Sequence, residues 1–500
     1  MVVPAPLVSG EQVNIEFIDQ TLRDGQQSLW GLQMRAYQAA EALPHLDRTG
    51  FRVIDLTGAG MFTVLIRNFK ENPWEVTDFL VKNLPNSKVR SASRTISVGG
   101  MGFAPDSVVD LWIRTLAHHG ISSFWFFDCL YGMEKLHRLN DVIADAGATP
   151  VPAVMYGLTD VHTDEFFAAR AKEMAAWRGV ESVYMEDAPG VLTPERAGTL
   201  FPALKEATGD VPLELHCHNT TGLAPLVYLE GIRHGIHILH TASRAMANGP
   251  SLPSTEAMVD NVTALGHTHG LDVSQLTPVA ENFAREADAA GYEVGVPHEY
   301  SVRNYGHQLP GGMMGSLKRQ LAEHGMEDRL QEVLDEIPRV REELGQPIMA
   351  TPFSQFVGIQ ALLNVVTGDR YSVVPTEVVQ YTLGHYGPLM RPVNPEVADR
   401  ILDDPKIKEF ENWEQPQPTL KDLRDRFGHG ISDEELVLRA LFSGEEIDGM
   451  LAAGPPCTDP RMSASVIVGN IKELIGEPRR ARSLTISQPG MTLQLVRHER

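Results

Sequence analysis

Cysteine is scarce in this chain of 500 residues, which contains three, Cys129, Cys217 and Cys457. Three cysteines cannot build a disulfide framework, so the sequence predicts a reducing, cytoplasmic location. Long hydrophobic runs are also missing, because no apolar stretch reaches the roughly 18 residues of a membrane helix. The first ten residues carry no basic segment of the kind that begins a secretory signal. We therefore expect a protein with neither a membrane span nor a cleaved leader.

Positive charge is outnumbered, with 43 lysine and arginine residues against 65 aspartate and glutamate residues and a formal net charge of −22. This balance argues against a nucleic-acid surface or an anionic membrane as a partner. The hydrophobic fraction of 43% and the charged fraction of 22% are ordinary for a globular protein. The length suffices for two or three domains. The charge, composition and length fit a cytosolic enzyme, but they do not identify its chemistry, which depends on individual residues.

Eight short β-type runs alternate with amphipathic helical stretches over roughly the first half of the chain. Eight such strand–helix repeats in about 250 residues are typical of a TIM (β/α)8 barrel. A doubly wound open sheet is the alternative, and the lack of a Gly-rich phosphate loop after the first strand weakens it. The predicted strands are Val13–Asp19, Phe51–Leu56, Ser87–Ala92, Ser122–Phe127, Thr149–Met155, Ser182–Glu186, Pro212–Cys217 and Ile236–Thr241.

The pattern becomes mostly helical after residue 300. The predicted helices are Glu327–Leu344, interrupted at Pro338, then Gln355–Val366 and Ser432–Phe442, with a Pro-rich connection before the last of these. A Pro-Pro break then precedes a short predicted helix over Ala464–Ile475 and a strand-like segment over Ser483–Val496. The expected parts are therefore a barrel domain over 11–300, a mostly helical C-terminal domain over 301–453 and an appendage of uncertain structure over 454–500.

Residues suited to chemistry follow several predicted strands, at the end where barrel enzymes place their active sites. His216 and His218 are two apart on the seventh strand, so both imidazoles point to one side and can bind one divalent metal. A pair of structural histidines is the alternative for an isolated motif of this kind. The strand-end residues are Arg23 and Asp24 after strand one, Arg94 after strand three, Glu186 ending strand six, and His216 and His218 ending strand seven. Six such groups at one mouth predict an active site.

Five short motifs stand in a fixed order along the chain: DQTLRDGQQS at 19–28, ENPWE at 71–75, HCHNTTG at 216–222, QLPGGM at 308–313 and TPFSQFVG at 351–358. Their order resembles the carboxyltransferase component of biotin-dependent enzymes. That family includes the carboxyltransferase domain of pyruvate carboxylase, the α subunit of oxaloacetate decarboxylase and the oxaloacetate-binding subunit of transcarboxylase, to which the chain looks most similar. The resemblance covers roughly residues 12–450.

This resemblance implies a set of site residues and cofactors. Asp24, His216 and His218 would bind a divalent metal (zinc, manganese or cobalt), while Arg23, Gln27 and Arg94 would hold the carboxylate and keto oxygen of a 2-oxo acid. A bidentate guanidinium suits a planar carboxylate. Carboxybiotin on a separate carrier protein would donate or accept the carboxyl group. The implied partners are a biotin carrier protein and a biotin carboxylase on other chains, and the implied assembly is a homodimer or larger.

The chain departs from the family pattern after strand six, where members usually have Lys-Asp-Met-Ala-Gly. Their lysine is carbamylated and supplies a metal ligand, whereas this chain reads Glu186-Asp187-Ala188-Pro189-Gly190. Glutamate already carries an anionic oxygen, so we expect Glu186 to be a metal ligand. A catalytic base and a structural carboxylate are the alternatives for Glu186. Pro250 is a further departure, because pyruvate carboxylase has a threonine there that is thought to shuttle a proton.

The expected function is a metal-dependent carboxyltransferase component of a multi-subunit biotin-dependent carboxylase or transcarboxylase. It would act on a small 2-oxo-acid-like substrate through an enolate, with Arg23 and Glu186 as catalytic residues. One alternative is a biotin-independent, metal-dependent decarboxylase, lyase or aldolase acting on a 2-oxo acid. A second alternative is a catalytically silent assembly subunit.

Overall fold

A closed barrel of eight parallel strands dominates the computed structural model, which describes residues 12–99, 102–323, 325–403, 407–459, 461, 483–488 and 491–496. Each strand pairs with the next, and the first strand pairs with both the second and the eighth, which closes the ring. The strands are β1 (Asn14–Asp19), β2 (Val53–Gly58), β3 (Val89–Arg94), β4 (Ser123–Phe127), β5 (Thr149–Met155), β6 (Val183–Asp187), β7 (Leu213–Cys217) and β8 (Ile238–Thr241). The predicted TIM barrel is confirmed.

Helices follow the strands and cover the outside of the barrel. They are α1 (Gln26–Trp30), α2 (Ala36–Ala39), α3 (Leu43–Thr49), α4 (Ala59–Val64), α5 (Pro73–Lys82), α6 (Asp106–His118), α7 (Met133–Asp145), α8 (Asp164–Ala175), α9 (Pro194–Thr208), α10 (Ala224–Arg233), α11 (Thr255–Ala264) and α12 (Leu276–Ala290). A short strand, β9 (Thr268–His269), pairs with β1. Thr163 and Thr193 cap α8 and α9 by accepting backbone N–H groups of their first turns. These caps fix where the outer helices begin.

The barrel strands are buried on both faces, since side chains fill the interior and helices cover the exterior. Every residue of β4, with the sequence SFWFF, is buried. A strand covered on both faces needs no polar alternation, which explains this continuous aromatic run. Charged residues inside the barrel are therefore exceptions, and Arg90 and Glu214 satisfy each other by two hydrogen bonds.

The second part of the chain is helical, as predicted. Its helices are α13 (Asn304–His307), α14 (Gly311–Glu323), α15 (Leu330–Glu343), α16 (Phe353–Thr367), α17 (Thr376–Thr382), α18 (Pro395–Leu402), α19 (Ile407–Phe410), α20 (Leu420–Phe427), α21 (Asp433–Leu441) and α22 (Gly444–Ala453). The predicted interruption at Pro338 is wrong, because α15 continues through it. A proline inside a helix costs about 3 kcal/mol. Complete burial of Val333, Ile337 and Val340 on the same helix offsets this cost.

The helical part packs against the outside of the barrel. Trp74 Nε1 on α5 donates a hydrogen bond to the carbonyl of Glu434 on α21, at 3.1 Å. The ring of His119, which follows α6, stacks on Trp74 with 5.2 Å between the centroids. Arg67 pairs with Glu446 on α22, with 2.8 Å between Nε and Oε1. These contacts fix the helical part against the segments that follow β2 and β3.

The C-terminal strand-like segment forms an antiparallel pair, β10 (Ser483–Gln488) and β11 (Met491–Val496). The predicted helix over 464–475 lies outside the described residues. Across the part of the chain that the structure describes, every helix is too short or too polar to cross a membrane.

Candidate active site at the carboxyl ends of the barrel strands

Four ionisable side chains converge at the carboxyl ends of the strands: Asp24, Glu186, His216 and His218. One ligand atom from each lies within 4.8 Å of the others. Asp24 Oδ2 is 3.3 Å from His216 Nε2 and 3.5 Å from His218 Nε2, and the two Nε2 atoms are 3.2 Å apart. All four residues are buried. The structure therefore brings together the four residues that the sequence predicted as metal ligands.

Local backbone geometry places these side chains. Asp24 lies in a single π-helical turn, Thr21–Gly25, directly after β1, and such turns occur frequently at functional sites. Glu186 on β6 is the register partner of His216 on β7, so the two residues are side by side at the strand ends. His218 follows two residues after His216 and shares its side of the strand. The four predicted ligands thus lie together because the closed barrel brings the ends of β1, β6 and β7 to one mouth.

The donor set fits a divalent cation. Two imidazole nitrogens with two carboxylates form a suitable environment for zinc, manganese or cobalt. Glu186 Oε2 is buried and has no hydrogen-bond partner among the described residues, so its lone pairs remain for another ligand. His218 Nδ1 lies 2.6 Å from the carbonyl oxygen of Pro250, which can only accept, so the neutral ring carries its proton on Nδ1. Its Nε2 then keeps a lone pair on the side of Asp24.

Burial and neighbouring charges set the ionisation of the two carboxylates. Burial alone would raise the pKa of Asp24, but the positive charge of Arg23, 3.0 Å away, holds that pKa well below its usual range. Burial raises the pKa of Glu186 to about 7, against the lowering influence of Arg23. Asp24 is therefore ionised, while the charge of Glu186 depends more strongly on further positive charge nearby.

The loop after β8 supports the cluster through its backbone. Pro250 offers no hydroxyl, but its carbonyl accepts the proton of His218 Nδ1. Gly311, the first residue of α14, lies directly against the proline ring, because a Cβ at position 311 would be 1.8 Å from Pro250 Cβ. The Pro250 loop is thus held between a predicted metal ligand on one side and the helical part of the chain on the other.

A cleft of about 550 Å³ opens against the cluster. Its wall includes Arg23, Gln27 and Arg94, together with Glu186 and His218. Burial lowers the pKa of Arg94 to about 10, so this guanidinium is still cationic at neutral pH. The three residues predicted to hold a 2-oxo acid therefore line the same cleft as the predicted metal ligands.

Arg23 is locked in place by groups inside the barrel. Its Nε donates to Asp55 Oδ2 at 3.3 Å, and one terminal nitrogen donates to Gln20 Oε1 at 3.1 Å. The guanidinium carbon lies 4.9 Å from the ring centre of Trp125, whose Nε1 also donates to Asp55, at 2.9 Å. The orientation of Arg23 is therefore fixed in advance of substrate binding.

The sequence analysis missed a group of polar side chains inside the barrel, beneath the cluster. They are Asp55 on β2, Arg90 on β3, Tyr184 on β6, Glu214 on β7 and His240 on β8, all buried. A signal was present, because a charged residue inside an apolar strand is unusual. Glu214 is two residues before His216 and so lies on the same side of β7.

Gly190, in the loop that follows Glu186, packs closely against the backbone of His218. Its φ is +69°, and a Cβ would lie 2.6 Å from the carbonyl oxygen of His218. Gly190→Ala is expected to reduce the free energy of unfolding by roughly 2 kcal/mol or more, because backbone strain and the clash add. Gly291→Ala is the matched control, with a φ of +71° but open space around the Cβ, and should cost about 1 kcal/mol. Equal losses in urea unfolding would contradict the predicted clash.

Known proteins resemble this chain over nearly its whole length. Residues 132–282 match the family described as HMGL-like, and residues 305–449 match the conserved carboxylase domain. The pyruvate carboxylase B subunit of Methanocaldococcus jannaschii is 34% identical over 393 residues, which cover 78% of this chain and 69% of that protein. The 2-oxoglutarate carboxylase large subunit of Hydrogenobacter thermophilus is 30% identical over 458 residues, 89% of this chain and 69% of that protein. The methylmalonyl-CoA carboxyltransferase 5S subunit of Propionibacterium freudenreichii subsp. shermanii is 28% identical over 450 residues, 88% of each chain.

Solved structures share the architecture. The carboxyl transferase domain of Rhizobium etli pyruvate carboxylase, solved with oxamate and biotin, has a TM-score of 0.78 and 25% identity. The match covers 89% of this chain and 78% of that domain. With the barrel, the helical part and the relatives in agreement, the chain belongs to the family of the pyruvate carboxylase B subunit and the related carboxyltransferase components of biotin-dependent carboxylases.

Proposed function

We propose that this chain is the metal-dependent carboxyltransferase component of a multi-subunit biotin-dependent enzyme, acting on a small 2-oxo acid. One observation carries the proposal: a complete set of cation ligands and two arginines meet in one cleft. The ligand set contributes Asp24, Glu186 and His218 to the cleft wall, and Arg23 and Arg94 line the same wall. A 2-oxo acid needs both features, because its keto oxygen gains negative charge while its carboxylate has to be held still.

Different residues of the site bind the substrate and hold the cation. Arg23, Gln27 and Arg94 hold the carboxylate and the keto oxygen of the substrate. A divalent cation held by Asp24, Glu186, His216 and His218 would supply a Lewis acid that stabilises an enolate as the bond to the carboxyl group forms or breaks. Arg23 adds a fixed positive charge beside that oxygen, and its bonds to Gln20 and Asp55 spare it any reorganisation during the reaction.

Substrate and partners follow from the relatives. Their names point to pyruvate and 2-oxoglutarate, and we propose that this chain takes one of these two. A biotin carrier protein and a biotin carboxylase on other chains, a homodimeric or larger assembly and a cytoplasmic location complete the proposal. We also propose the domain division at residue 300, because α13 begins at Asn304 and the conserved carboxylase domain begins at 305.

Reverse carboxyl transfer to free biotin tests this function. The metal-loaded chain is incubated with oxaloacetate or with oxalosuccinate, the carboxylated forms of pyruvate and 2-oxoglutarate, with and without biotin. We expect decarboxylation of one of the two, stimulated several-fold by biotin, because biotin accepts the carboxyl group. Equal rates with and without biotin would instead favour a biotin-independent lyase. Inactivity with both substrates would favour an assembly subunit and overturn the proposal.

Arg94→Met should weaken substrate binding specifically. Loss of a charged hydrogen bond to the substrate carboxylate is expected to raise KM roughly 10- to 100-fold, corresponding to about 1.5–3 kcal/mol. Arg114→Met is the matched control, since Arg114 is exposed on α6, outside the cleft. A KM that is the same in both variants and the wild type would remove Arg94 from the substrate site.

A further inference from the structure

His216 makes contacts at both of its ring nitrogens. Its Nε2 faces Asp24 and His218, within the predicted ligand set. Its Nδ1 lies 2.6 Å from the hydroxyl oxygen of Tyr184 and 3.3 Å from Nδ1 of His240. The ring can ligate a cation through Nε2 only if its proton is on Nδ1. The groups around Nδ1 therefore determine whether the Nε2 lone pair is available to a metal.

A series of buried, hydrogen-bonded side chains determines the tautomer of His240. Arg90 donates two hydrogen bonds to the carboxylate of Glu214, at 2.5 and 3.0 Å. Arg90 donates to both carboxylate oxygens of Glu214, and the Ser182 hydroxyl donates to Oε1 at 2.6 Å, so Glu214 is an ionised acceptor. His240 Nε2 lies 3.0 Å from Glu214 Oε2, and an ionised carboxylate only accepts. His240 therefore carries a proton on Nε2.

Gln20, on the opposite side of His240, indicates the same tautomer of His240. Its Oε1 accepts from Arg23, which fixes the orientation of the amide. The amide nitrogen is then 2.9 Å from His240 Nδ1 and 3.1 Å from Asp55 Oδ2, and it donates to both. Nδ1 of His240 is therefore an acceptor. An acceptor at this position, 3.3 Å from His216 Nδ1, favours a proton on that nitrogen of His216.

We propose that Tyr184 and His240 are positioning residues that hold His216 with its proton on Nδ1 and its Nε2 lone pair directed at the cation site. This inference rests on the proposed function, because it concerns how a predicted metal ligand is prepared. With His218 protonated on Nδ1 as well, two lone pairs and the Asp24 carboxylate face one another within 3.5 Å. Positive charge between these three groups stabilises that arrangement, and a divalent cation would supply it.

Tyr184 reaches His216 from a rigid position. Its ring stacks on Trp125 with 4.6 Å between the centroids and 9° between the planes. Tyr184→Phe keeps this stacking and removes only the hydroxyl group. We expect the variant to fold and to bind Mn²⁺ or Zn²⁺ about tenfold more weakly, as is typical when the partner of a ligating histidine is lost. Affinity is measured by calorimetric titration of the metal alone into the chelator-treated full chain.

His240→Gln provides the second variant. An amide nitrogen near the former Nε2 position can still donate to Glu214, while the acceptor facing His216 is lost. This variant should also lose about tenfold in metal affinity, and the double variant with Tyr184→Phe should lose more than either single change. Tyr381→Phe is the control, because Tyr381 is a buried tyrosine of the helical part whose hydroxyl donates to the carbonyl of Leu344, at 2.9 Å.

The outcomes separate this inference from the proposed function. Thermal unfolding of each variant first shows whether it folds, and Tyr381→Phe should lose stability without losing metal affinity. If the wild type binds metal and His216→Ala does not, while the double variant binds as tightly as the wild type, the positioning role is overturned. If the wild type and His216→Ala bind metal equally, the proposed cation site itself is wrong.

Discussion

Replacing His216 by alanine is expected to abolish metal binding and carboxyl transfer together. The imidazole Nε2 is 3.3 Å from Asp24 Oδ2 and 3.2 Å from His218 Nε2, at the centre of the predicted ligand set. A Lewis acid is worth several kcal/mol of transition-state stabilisation, so kcat should fall roughly 1,000-fold or more. Elemental analysis of the purified protein and the biotin-stimulated decarboxylation assay measure the two losses on the same sample.

A matched control separates this loss from general damage. His234 lies at the C-terminal end of α10, where its Nε2 contacts Glu230 at 3.1 Å, outside the cleft. His234→Ala should keep both the metal and the activity. Full activity of His216→Ala without bound metal would contradict a metal-centred mechanism. Loss of folding in His216→Ala is checked by circular dichroism, and Asp24→Asn then tests the same ligand set through a second residue of nearly unchanged size.

Glu186→Gln is expected to produce the second large effect. The substitution keeps the size of the side chain and replaces an anionic oxygen, which is buried and lacks a hydrogen-bond partner among the described residues, by a neutral amide. Loss of a charged ligand should weaken metal binding by roughly 100-fold or more, beyond the range for a residue that only supports a ligand. Activity at limiting metal should fall in parallel. Calorimetric metal titration and elemental analysis after dialysis measure the change.

The control for this substitution is Glu195→Gln, an exposed carboxylate in the first turn of α9. It should leave metal content unchanged. If Glu186→Gln retains one ion per chain at wild-type affinity but loses activity, Glu186 acts as a base. If it retains both, Glu186 is a structural carboxylate. Glu186→Lys restores the residue type usual in the family, and a gain in oxaloacetate decarboxylation would identify glutamate as the feature that sets this chain apart.

The barrel could be predicted because its signals are local. Most predicted strands are apolar or alternating runs followed by polar residues, and each overlaps an observed strand. The position of a residue at the end of a parallel strand then determines its neighbours in space, since all eight carboxyl ends meet at one mouth. For that reason the sequence alone could predict that Asp24 and Glu186, 162 positions apart, lie together.

Other features depend on partners that a single sequence does not identify. In the sequence, Glu214 and His240 are isolated polar residues within the predicted strands. Their hydrogen-bond network depends on Arg90, which is 124 positions from Glu214. The predicted break at Pro338 failed for a similar reason, because burial of Ile337 and Val340 on α15 outweighs the local preference of proline. Local propensity therefore described the elements, while long-range packing determined how the interior of the site is supported.

The contact between Gly311 and Pro250 bears on how such proteins can recombine. The Pro250 carbonyl orients His218, and α14 begins against the ring of the same proline, with no room for a Cβ at position 311. A helical region transplanted from a relative onto this barrel would therefore need glycine at the junction, whatever the rest of its sequence. The barrel and the helical region therefore meet at one glycine, which also lines the cleft beside the predicted ligand set.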